Sequence, residues 1–224
     1  MTLINFDVHR WETNFAFDKL RDYFEAVERQ FEAVREEERA RTDLTPPPGL
    51  SEDDYQEWYS EHQAEVQFIE ERYELDFPSK MRFSFIILLH IMLEDRLRAT
   101  CNEIQRRKAL TITEKDLRGA PFERVKNFLK KIAGINFENQ KGWQELKDLQ
   151  MIRDCIVHTN GRIAESRDKN RIYDLCKKQI GISDVEGYLS VEKTFCLKSV
   201  VEVSSFFNDL LNTSGFGSCR MTYN

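Results

Sequence analysis

Proline falls at only three places in this 224-residue chain: the run Pro46-Pro47-Pro48, Pro78 and Pro121. Glycine is scarce as well, with 9 residues, whereas phenylalanine is abundant at 16. A chain with so few breakers and so many large apolar rings reads as long helices packed through aromatic side chains, not as a turn-rich β fold. The fold class predicted is therefore all-α.

Helical periodicity runs through most of the chain. Between Trp11 and Arg41, Phe15, Leu20, Phe24, Val27, Phe31 and Val34 recur among charges and predict an amphipathic helix. The triple proline and Gly49 end it, and Ser51 followed by Glu52-Asp53-Asp54 reads as an N-cap with an acidic first turn. A second helix is expected to about Leu75, with Tyr55, Trp58, Tyr59, Val66 and Ile69 on its apolar side. Residues 1–76 thus read as an acidic helical hairpin, bounded at Pro78. Residues 77–214 read as a helical bundle, and 215–224 as a loosely held tail. Within the bundle, a helix from Ser79 to Arg107 is apolar nearly all round and is expected at the centre. Shorter helices are expected over 121–132, 143–158, 167–179 and 195–211. Tyr188-Leu189-Ser190-Val191 suits a short strand or loop edge.

Charge is divided unevenly. Residues 1–76 carry a net −13 and residues 77–224 a net +7, within the total of −6. A basic body suits a polyanion such as RNA, while the acidic third suits shielding, assembly or a basic partner. A charge run is also commonly just a solvated helix face. No apolar run is long enough for a membrane span, and the N-terminus has no signal-peptide pattern. Five widely spaced cysteines, without a Cys-x-x-Cys pair, predict neither disulfide framework nor zinc site and point to the reducing cytoplasm. His9, His62 and His90 are isolated, so no metal or cofactor is called for.

Chemistry concentrates in Leu149-Gln150-Met151-Ile152-Arg153-Asp154-Cys155-Ile156-Val157-His158-Thr159-Asn160-Gly161. Leu146, Leu149, Ile152, Ile156 and Val157 form one apolar face at about 100° per residue, and Arg153 falls inside it. A guanidinium there needs a carboxylate, a subunit boundary or an anionic ligand. His158 is rotated about 140° from Arg153. The two converge only if the helix unwinds near Asn160-Gly161 or if two copies face each other. Asp154, four residues before His158, is placed to orient the imidazole. Arg153, His158 and Asp154 are the candidate catalytic residues. An imidazole to move a ribose proton and a guanidinium to hold a phosphate are parts for metal-free RNA cleavage. The plain alternative is a structural arginine paired with Glu94 or Asp95, beside a core His90 and a filler Cys155.

Arg153-Asp154-Cys155-Ile156-Val157-His158 resembles the Arg-polar-x-x-x-His signature of HEPN domains, and the resemblance covers about residues 79–212. It implies a HEPN-like bundle acting as a homodimeric, metal-independent endoribonuclease of the toxin, abortive-infection or antiviral-defence kind, with Arg153 and His158 as the catalytic pair. It also implies an antitoxin or defence-system partner. The tyrosine that follows the histidine in toxins paired with a nucleotidyltransferase antitoxin is replaced here by Thr159-Asn160. Non-catalytic HEPN scaffolds exist, so a helical interaction module and a nucleotide sensor stay open beside the nuclease.

Overall fold

A computed structural model describes residues 6–42, 45–136, 138, 140 and 142–218. The order is α1 (Val8–Arg41), α2 (Glu52–Glu70), a π-helical segment (Glu71–Asp76), α3 (Phe77–Lys108), a 3₁₀ turn (Glu114–Asp116), α4 (Pro121–Asn127) running into a π-helical segment (Phe128–Ile132), α5 (Trp143–Thr159), a 3₁₀ turn (Ile163–Glu165), α6 (Lys169–Lys178), β1 (Ile182–Val185), β2 (Tyr188–Val191) and α7 (Lys193–Thr213). Among the described residues the fold is all-α apart from one hairpin, in which β1 and β2 pair antiparallel with Val185 opposite Tyr188. Its two-residue turn uses Glu186 and Gly187, both at positive φ, as a tight hairpin requires. Periodicity over so short a stretch had pointed to β2 only. Among the described residues, no helix is long and apolar enough to cross a membrane.

The core lies where α1, α5 and α7 pack around α3. Phe17 meets Phe207 at 5.3 Å between ring centroids, and Phe24 meets Phe85 at 4.3 Å. α1 therefore shares the bundle core instead of standing beside it. The ring that enters is Phe17, whereas Phe15 lies exposed and stacks on Trp11. Glu28 of α1 is buried and receives both Nε (2.7 Å) and Nη2 (3.0 Å) of Arg82 from α3.

The expected boundary at Pro78 falls inside an unbroken helical path from Glu52 to Lys108. Proline lacks an N–H and crowds the preceding turn. The π-helical segment just upstream, where the Phe77 N–H reaches back to the Arg72 carbonyl, widens the turn that Pro78 would otherwise break. The start of the expected loose tail is also anchored. Phe216 is buried under the Arg107 guanidinium (4.1 Å), and Gly217 N donates to Asp7 Oδ2 at 3.1 Å. Residues 219–224 lie outside the described residues.

Candidate active site

α5 carries the motif, and its local sequence explains its placement. Leu146, Leu149, Ile152, Cys155 and Ile156 are buried at helical spacing and seat it against α3 and α7. Val157, expected on the same face, is instead 43% exposed. The helix is regular through Thr159 and ends at Asn160 (φ 52°) and Gly161 (φ 79°). Gly161 is needed twice over: its backbone is left-handed, and a Cβ would meet the Phe83 ring of α3 at 3.0 Å. The hairpin clamps this turn, since Leu189 N donates to the Gly161 carbonyl at 2.8 Å and Ile163 N to the Gly187 carbonyl at 3.0 Å.

Gly161 lies against Phe83, and the Arg153 charge acts on His90. The two helices therefore run antiparallel, which sets Val157 level with Ile86 and Ile87. α3 is central as expected but is not enclosed all round. Leu88 is 38% and Ile91 53% exposed, so these two apolar side chains, one turn apart on α3, are left uncovered, as is Val157 on α5.

The Arg153 side chain is 28% exposed, and its Nη1 donates to Asp154 Oδ1 at 2.7 Å. It pairs with neither Glu94 nor Asp95. Glu94 lies 3.5 Å from Arg98, and Asp95 binds Arg96 at 2.6 Å. Arg153 Nε is buried without a hydrogen-bond partner among the described residues. Asp154 thus faces the guanidinium in this conformation, not the imidazole that the sequence assigned to it.

His158 is exposed and opens onto a cavity of about 310 Å³ walled by Asp154, Thr159, Glu165, Ser166, Arg167 and Asp168. Because α5 stays helical through Thr159, Arg153 and His158 of one chain leave it in different directions, as the 140° rotation requires. Arg167 is a cavity cation that periodicity did not single out. The only available signal was the cluster Arg162, Arg167, Lys169 and Arg171 just after the motif.

His90, expected as a satisfied core histidine, is 3% exposed, but its Nε2 has no partner among the described residues. Its Nδ1 lies 4.0 Å from Glu94 Oε1. Burial pushes its pKa below the ordinary imidazole value, opposed by Glu94 and Asp154 and helped by Arg153. Cys155 is buried in the core, and burial raises its thiol. The other described cysteines, Cys101, Cys176 and Cys196, are free thiols. Burial pushes Cys101 up to about 12, far from a nucleophile. Among the described residues, no group of three His, Cys, Asp or Glu side chains is placed to hold a metal ion.

Comparison of the chain with family models, with curated proteins and with solved structures found no match.

Proposed function

We propose that the chain is a HEPN-type, metal-independent endoribonuclease that acts as a homodimer in toxin or antiviral defence. The observation that carries this reading is the state of Arg153. Its side chain is 28% exposed, its one ion pair among the described residues is with Asp154, and its buried Nε has no hydrogen-bond partner among them. A cation whose one ion pair among the described residues is with its sequence neighbour keeps terminal Nη donors for a phosphate. Two copies meeting through Leu88, Ile91 and Val157 would bring their Arg153 and His158 side chains toward one cleft, which a single straight α5 does not achieve.

In that cleft the imidazole of one His158 takes the proton from a ribose 2′-OH, and the 2′ oxygen attacks the adjacent phosphorus. The 5′ oxygen leaves with a proton from the other His158, giving a 2′,3′-cyclic phosphate and a 5′-OH. Arg153 neutralises the charge that builds on the phosphoryl oxygens, and Arg167 adds a cation at the cavity rim. The reading predicts cleavage of single-stranded RNA by the purified protein in EDTA. Arg153→Ala and His158→Ala should each lower the rate at least 100-fold with the dimer intact. Full activity of His158→Ala would overturn the assignment. A second reading, a non-catalytic interaction module, draws on the exposed aromatic face of α2. No cleavage by wild type, with a sharply lowered melting temperature in Arg153→Ala, would favour it.

A further inference from the structure

α2 is a helix of 19 residues whose only buried residue is Ile69. Most helices of this length hold their shape by burying an apolar face, and α2 instead turns its aromatic face outward. Tyr55, Trp58, Tyr59 and His62, with Pro46 opposite, wall an open groove of about 490 Å³. The rings cluster along the helix. Tyr55 and Tyr59 lie 6.1 Å apart at 18°, Tyr55 and Trp58 6.2 Å apart, and Trp58 and His62 4.2 Å apart.

The segment that supplies the groove carries charge of one sign. Residues 45–70 contain seven carboxylates and no lysine or arginine. Glu70, at the end where α2 joins the bundle, is paired with Arg35 and Arg39. Glu57, Glu61 and Glu65 are exposed and have no ion-pair partner among the described residues. On helical geometry, Asp54, Glu61 and Glu65 follow one border of the groove. Flat π faces flanked by unneutralised carboxylates are complementary to planar cations. The chain itself uses this contact one turn further on, where Arg72 lies 4.9 Å over the Phe77 ring.

We infer that the α2 groove docks an extended, arginine-bearing segment of another protein. The guanidinium stacks on Trp58 and Tyr55 while Glu61 and Glu65 accept its N–H groups. Arginine is favoured over lysine because a planar ion can lie flat against a ring face and donate sideways at once. The groove is large and open enough for several residues of extended chain. This inference does not depend on RNA cleavage.

The test is calorimetric titration of the full chain with the peptide acetyl-(Arg-Gly)₅-amide, and with its lysine and oligoproline counterparts. The arginine peptide should bind at micromolar Kd, several-fold tighter than the lysine peptide, and weaken as salt rises. Trp58→Ala and Tyr55→Ser, which leave the charge unchanged, should each weaken it about tenfold, with helix content checked by circular dichroism. Glu61→Gln with Glu65→Gln should weaken it and flatten the salt dependence. No saturable binding, or binding unchanged in both aromatic variants, would overturn the inference. Tighter oligoproline binding would overturn it in favour of a proline ligand. Self-association abolished by Trp58→Ala would overturn it in favour of a second copy of this chain.

Discussion

Arg153 and His90 form an electrostatic pair that neither position announces alone. The imidazole is buried on α3 and held below its ordinary pKa chiefly by burial, and the guanidinium on α5 depresses it further. A histidine whose pKa is depressed in the fold and near 6.5 when unfolded contributes stability that is complete above about pH 6.5 and is lost progressively as pH falls from there toward its folded-state pKa. The melting temperature is accordingly expected to fall between pH 7 and 5, and His90→Asn should flatten that slope. Arg153→Ala removes the neighbouring cation, so the His90 titration followed by NMR should move upward. The same substitution breaks only a partly exposed pair with Asp154, and thermal melts near pH 7.5 should register a loss of less than about 1 kcal/mol. A much larger loss would mean that the arginine is structural.

At the scale of elements, α1 illustrates how periodicity leaves a choice open. Phe15 and Phe17 are two residues apart, hence about 200° apart around the helix, so only one can face inward. Phe17 is fully buried against Phe207, and Phe15 is left on the surface under Lys19, 5.3 Å from its ring. Phe17→Ala should cost about 3–5 kcal/mol in denaturant unfolding, and Phe15→Ala no more than about 0.5. The passage from α2 into α3 is a second case. Pro78 is a legitimate stop signal from local rules, and a π-helical turn overrides it. The turn after α5 was legible, because Asn160-Gly161 is a strong ending and the structure adds only Phe83 as its reason.

For the whole molecule, the exposed apolar side chains Leu88, Ile91 and Val157 bear on assembly, as the surface proposed for the dimer. If it is the dimer surface, the protein should sediment at about twice the 26.6 kDa chain mass. Ile91→Glu should then yield a folded monomer without RNA cleavage, and a wild-type monomer that cleaves RNA would refute the dimeric cleft. Local information was enough for the all-α class, the main helices and the helix that carries Arg153 and His158, because breakers, caps and 3.6-residue periodicity act within a few residues of where they are written. Other features depended on the tertiary structure: which aromatic ring of α1 enters the core, that α1 belongs to the bundle, that Asp154 faces Arg153, and that α3 leaves Leu88 and Ile91 uncovered. Each of these turns on what arrives from a distant part of the chain, and a short-range pattern carries no record of that.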